Sequence, residues 1–184
     1  MAGILRVDQA NVDYIYAKTG GGRTYMPGHV IQAQSTTKTD SWTASIAYGT
    51  WTDIPNLSVS ITPTSSLSKI LVTGNIYGNG QSGYTQFFFR IVRDSTAICI
   101  ADVSSSRPRV TGRSYSAGAS ITLAMPFTYL DSPATISTTT YKIQATTEAS
   151  TYSLYVNRTQ DDTDGASSNG GRSTSTITVM EIAQ

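Results

Sequence analysis

Short runs in which every second residue is apolar recur from residue 28 to the end of this chain. Leu57, Val59 and Ile61 alternate with Ser58, Ser60 and Thr62, and Pro63 closes the run. That is the signature of a strand with one face buried and one solvated. Trp42, Ala44 and Ile46 repeat the pattern within Ser41–Ala47, as do Tyr141, Ile143 and Ala145, and Tyr152, Leu154 and Val156. In Ala119–Phe127 the alternating residues are Ile121, Leu123 and Met125, and in Thr174–Ile182 they are Ile177 and Val179. Lys69–Tyr77 is apolar on both faces, which predicts a central strand. Gln86–Val92 carries Phe87, Phe89 and Ile91 on one side, and Arg93-Asp94-Ser95 turns it into Thr96–Ala101 as a hairpin. His29–Gln34 is the first candidate strand.

These segments amount to roughly nine or ten strands. The nearest approach to a helical window, Asp8–Lys18, is too rich in β-branched and aromatic residues to hold one. No blade-length repeat argues for a propeller. The expected fold is all-β: a jelly-roll-like antiparallel β-sandwich over residues 26–184, preceded by a short N-terminal extension, residues 1–25. That extension carries Ile4, Leu5, Val7, Val12, Tyr14 and Ile15 ahead of Gly20-Gly21-Gly22, so it reads as an arm that docks on a partner. Two stretches, 102–117 and 157–173, are polar and read as long loops.

Composition sharpens this. Thr and Ser supply 28 and 24 of the 184 residues, and Glu occurs only at 148 and 181, so good helix formers are scarce. The formal net charge of +1 lacks the basic excess of a nucleic-acid binder. No stretch approaches the roughly 20 apolar residues of a membrane helix, so no membrane insertion is expected. The opening residues lack the apolar core of an export signal, so no classical export is expected. Cys99, alone of its kind, lies in the apolar run Ala97–Ala101 and reads as a small buried hydrophobe.

Little material for covalent chemistry is present. His29 is the single histidine, and no nucleophile elbow, phosphate loop or zinc ligand set accompanies it. Asp40, Asp53, Asp94, Asp102 and Asp131 stand at or near turns, where Asp is favoured for backbone reasons. No catalytic residue and no cofactor is assigned. Asp161, Asp162 and Asp164 form an acidic loop whose lesser reading is a calcium site, although the spacing is not that of an EF-hand. Arg107, Arg109 and Arg113 form an exposed basic loop that could also meet the acidic loop of a neighbouring subunit or bind a sulfated or carboxylated glycan. With Tyr84 and Tyr115, which suit a sugar-binding surface or a sandwich rim equally, they are the receptor-binding candidates.

Several segments resemble a recurrent domain of bacteriophage tail-fibre and appendage proteins. They are Thr52–Lys69, Ile70–Gly74, Leu130–Tyr141, Val156–Thr159 and Ser173–Ile182, together with the opening ILRVDQANV. The resemblance implies a β-sandwich, homotrimeric, placed in the tail or a peripheral appendage of a virion. It implies attachment to a host surface and contact with other virion proteins through the N-terminal arm. The alternatives are an architectural head-decoration, collar or baseplate subunit without receptor contact, and a glycan-degrading virion enzyme.

Overall fold

The computed structural model describes residues 15–16, 23–81, 83, 85–115, 118–148, 150–165 and 170–184. Thirteen strands run through them, and no helix. A two-residue pair, β1 (Ile15–Tyr16) and β2 (Arg23–Thr24), forms a small antiparallel ribbon of its own. The remainder are β3 (Val30–Lys38), β4 (Trp42–Ile46), β5 (Thr52–Ile61), β6 (Lys69–Gly80), β7 (Gln86–Arg93), β8 (Thr96–Ile98), β9 (Gly112–Tyr115), β10 (Leu123–Asp131), β11 (Thr139–Thr147), β12 (Tyr152–Val156) and β13 (Ser175–Ile182).

The registers simplify this list. Along one edge of β6, β12 pairs with Gly78–Gly80 and β13 with Lys69–Asn75, so the two are halves of one broken strand. β4 and β3 pair with those same two halves and are broken at the matching place. β8 and β9 likewise share one edge of β7, at Ile91–Arg93 and Gln86–Phe89. Joining the halves leaves eight strands. Sheet I has the order β3/β4–β12/β13–β6–β10, and sheet II the order β5–β11–β7–β8/β9. Every pairing is antiparallel, and numbered along the chain the eight strands run 1-8-3-6 and 2-7-4-5. This is a jelly roll, as the alternating pattern predicts.

Inward residues of both sheets make one core: Ile54, Leu57, Val59 and Ile61 from β5, Ile70, Val72 and Ile76 from β6, and Phe87, Phe89 and Ile91 from β7. Met125, Phe127, Ile143, Leu154, Ile177 and Val179 complete it. Burying each of these side chains contributes about 1.5–3 kcal/mol. Gly74 is required where β6 faces Phe127, because a Cβ there would collide with that ring and with the Thr176 carbonyl.

Three expectations need correcting. β10 starts at Leu123 and runs on to Asp131, with Tyr129 half-buried against the core, while Ile121 precedes the strand and is exposed. The strand after Asp94 stops at Ile98, because Cys99 adopts φ +52° and turns the chain away; Cys99 is half-buried against the core. Residues 102–117 are not all loop, since Gly112–Tyr115 rejoins β7.

Candidate functional site

The two outer faces differ in chemistry. On sheet I the registers line up outward residues in rows across the strands. Ala33, Met180, Leu71 and Leu130 form one row, and Val30, Ile182 and Lys69 lie next to it toward the chain termini. Leu130 and Val30 are about half exposed, at 52% and 46%. The following row is Ser35, Thr178, Thr73 and Thr128, joined by hydroxyl contacts of 2.8 Å (Ser35 to Thr178) and 3.2 Å (Thr73 to Thr128). This face is therefore an apolar band beside a hydroxyl band, with Lys69 as the charge among these rows.

Sheet II is tied externally by charge. Asp53 accepts from Lys142 Nζ and Gln144 Nε2, both at 2.7 Å. Burial alone would raise the Asp53 carboxyl; those donors outweigh it and hold the group below its ordinary value. Arg90 donates to Gln144 at 2.7 and 2.9 Å and lies over the Trp51 ring at 4.2 Å. Gln86 receives Arg113 Nη1 at 2.8 Å, and its backbone N–H donates to Glu148 at 3.1 Å.

Three polar hubs are buried inside. Asp131, at the end of β10, accepts both bonds of Arg93 Nη1 (2.9 and 3.0 Å) and the Tyr141 hydroxyl (2.8 Å), bridging sheet I to sheet II. Burial first, and then this carboxylate, push the Tyr141 hydroxyl above its ordinary value. Glu181 accepts Gln32 Nε2 at 2.7 Å, and the Thr64 N–H and hydroxyl at 2.7 and 2.8 Å, which pins the connection from β5 to β6. Asn157, with φ +59°, sits where β12 breaks from β13. Its amide donates to the Lys38 and Asp40 carbonyls at 2.9 and 3.0 Å and its oxygen accepts Ser175 Oγ at 2.6 Å. The fully buried Lys38 side chain reaches Asp40 at 2.8 Å.

Sequence reasoning missed all three hubs. Period-two alternation carries a signal for two of them: Asp131 continues Met125, Phe127 and Tyr129, and Glu181 continues Ile177 and Val179, onto the core side. Lys38 follows the polar positions Gln32, Gln34 and Thr36, so nothing in the pattern marks it.

The candidates read from the sequence are scattered. Arg107 and Arg109 lie on an exposed excursion closed by the Ala101 N–H to Val110 carbonyl bond (3.3 Å), while Arg113 and Tyr115 stand on β9. Tyr84 is outside the described residues, as are Ile4, Leu5, Val7, Val12 and Tyr14; Ile15 is the first residue of β1. In the acidic loop, Asp162 is paired with Arg172 at 2.7 Å and Arg158 at 3.3 Å, and Asp161 accepts from Ser120 at 2.7 Å. Those cations occupy the carboxylate that a calcium ion would need, and among the described residues no group of three or more His, Cys, Asp or Glu could hold a metal. His29 stacks on Tyr25 with ring centroids 5.4 Å apart.

Fold and site together define a jelly-roll module whose buried charges serve as structural ties. No family model matches the chain, and no curated protein does. Among solved structures it is similar to a chain of the infectious bursal disease virus T13 particle, with a TM-score of 0.46 at 14% identity over 91% of this chain and 39% of that one. A Gt-strain structure of the same virus gives 0.42 at 15% identity, over 97% and 45%. The VP2 subviral particle of that virus gives 0.38 at 15%, over 93% and 47%. This chain thus spans less than half the length of each.

None of these is a bacteriophage tail-fibre or appendage protein. The structures that the chain resembles in shape come from viral particles and subviral particles instead. The tail-fibre family, the tail or appendage location and the host-attachment role expected from Thr52–Lys69 and its companion segments are corrected accordingly.

Proposed function

We propose that this chain is an architectural subunit of a virion, in the class of head-decoration, collar or baseplate components, acting by assembly without receptor contact. The observation that carries the reading is the use to which its charged groups are put. Asp131, Glu181, Asp53, Asp40 and Asp162 all hold strands or loops in place. A glycan hydrolase needs two carboxyls about 5–10 Å apart, one of them free to take or give a proton. Acids bound up in this way rigidify a scaffold instead. The jelly roll adds support by analogy, being a fold that viral capsids share with lectins and other proteins. In this reading the working unit is a homotrimer that meets like or neighbouring subunits.

The test is assembly of the purified chain, followed by sedimentation velocity and electron microscopy across a concentration series. Closed oligomers or shell-like particles are expected. A chain that stays monomeric throughout, and cleaves a polysaccharide in an activity lost on Asp53→Asn, would overturn the reading.

A further inference from the structure

We infer that the free edge of β3 pairs antiparallel with β3 of a second copy of this chain, centred on Ser35, so that two sheets I join into one continuous sheet. The inference rests on the assembly reading and deepens it by naming a contact between like subunits.

The hydrogen bonds fix which groups face that edge. Asn157 N–H donates to the Tyr77 carbonyl at 2.9 Å, which turns Tyr77 and every second residue from it along β6 toward β12 and β13. Asn75 is one of these, and it stands opposite Thr176. The next residue of β13, Ile177, therefore turns toward β3, where it meets Thr36. Thr36, Gln34 and Gln32 bond to β13, and Ala33, Ser35 and Thr37 turn their N–H and C=O groups away from it. The Lys38 carbonyl agrees, since it points inward to the Asn157 amide at 2.9 Å. Among the described residues no strand pairs with this outer edge, and no other backbone bond reaches Ala33, Ser35 or Thr37. All three are exposed.

The other edges of the sandwich are blunted. On β10 the same alternation turns Pro126 outward, and proline has no N–H to offer. β5 is interrupted by Pro55 and by Asn56 at φ +59°, where its register with β11 shifts. β8 stops at Ile98 and β9 starts only at Gly112, with an excursion between them. β3 keeps one register and no proline from Gln32 to Lys38. Of the chain's described edges, only β3 itself is fit to receive β3, and that pairing is two-fold.

The strand also matches itself. With Ser35 opposite Ser35, Ala33 meets Thr37 and Thr37 meets Ala33, giving about six backbone hydrogen bonds. No charge lies between Gln32 and Thr37, and Lys38 is buried on Asp40, so no like charges oppose one another. On the outer face the hydroxyl row Ser35, Thr178, Thr73 and Thr128 runs on into the same row of the partner.

That row supplies a ruler. In a Cys99→Ser background, Thr128→Cys on β10 carries a nitroxide label, and pulsed electron spin resonance reads the distance between labels on two copies. Seven strand spacings separate the two Thr128 positions, about 34 Å. A distance near this value is expected in the concentrated full chain. Ser35→Lys sets two ammonium groups face to face and should abolish it, and added salt should restore it. Ser35→Pro removes an edge-facing N–H while sparing the bonds to β13, and should weaken self-association about thirtyfold in sedimentation, with the urea midpoint of the dilute chain unchanged. Oligomers without the 34 Å distance, or with one that persists in both Ser35 variants, would overturn this pairing and leave the assembly reading standing. A chain monomeric at every concentration would overturn both.

Discussion

The two sheets use polar side chains in opposite places. Sheet I keeps its polar ties inside, at Lys38, Asn157, Ser175, Glu181 and Asp131, and shows solvent an outer face of hydroxyls and apolar groups. Sheet II has a mostly apolar inner face, to which Arg93 and Tyr141 bring the partners of Asp131, and it ties its strands to one another on the outside, through Asp53, Lys142, Gln144 and Arg90. The same kinds of group thus carry very different energetic weight. Inside, a lost partner leaves a buried group unsatisfied; outside, water replaces it.

The sharpest test of that contrast is Asn157→Ala. It strips hydrogen bonds from the Lys38 and Asp40 carbonyls and from Ser175 Oγ, and puts a Cβ-bearing residue without a local partner at φ +59°. The expected loss is about 3–5 kcal/mol, read as a lower urea midpoint at unchanged slope. Asn157→Gly relieves the backbone term alone and should recover about 1 kcal/mol of it. A loss below 1 kcal/mol would show that the break between β12 and β13 is not held by this amide.

Asp131→Asn comes next. It keeps the shape but leaves the Arg93 guanidinium, at 25% side-chain exposure, without its countercharge. About 2–4 kcal/mol should be lost, against about 1 kcal/mol for Tyr141→Phe, which removes one hydrogen bond and leaves the ion pair. Equal losses for the two variants would mean that the hydroxyl rather than the charge ties the sheets.

These weights also explain what the sequence makes legible. Alternation at Leu57–Ile61, Ile70–Ile76 and Phe87–Ile91 reports directly on burial, so the sandwich and the central place of β6 can be read from it. Breaks within strands cannot. β9 has only Gly112–Tyr115 to announce it, and the gap between β12 and β13 looks like any loop between two strands. Asp131 and Glu181 were hidden for a different reason. An acid beside a turn is usually solvated, and only the exact phase of the alternation places these two on the core side. The outer apolar row of sheet I could not be seen either, because it consists of one residue from each of four strands distant in sequence.

Glu181 sharpens the comparison through pH. Burial alone would raise its carboxyl, but hydrogen bonds from Gln32, Ser68 and Thr64 outweigh burial and hold it below its ordinary value. A depressed carboxyl adds stability that is fully present above the unfolded value, about 4.3, and is lost as pH falls through the folded one. Glu181→Gln should therefore cost about 1–3 kcal/mol at neutral pH, with the gap to wild type closing on acidification below about pH 4. A gap constant down to pH 2 would show that the charge contributes nothing and that shape alone matters at this position.

The smallest effect is expected outside sheet II, and its smallness is the point. Asp53 and Lys142 are half and about one-quarter exposed, at 50% and 27% of their side chains. Their 2.7 Å contact forms in water, between groups that lose little by parting. Asp53→Asn should shift the urea midpoint by no more than about 0.5 kcal/mol equivalent, and added salt should shrink even that. The Lys142→Met variant should behave alike, and the double variant should lose no more than either single one if the pair acts as a unit. A loss above 2 kcal/mol would place this network among the ties that matter. The division between a sheet braced from within and a sheet decorated from without would then fail, because water would not be replacing the lost partner as its exposure requires.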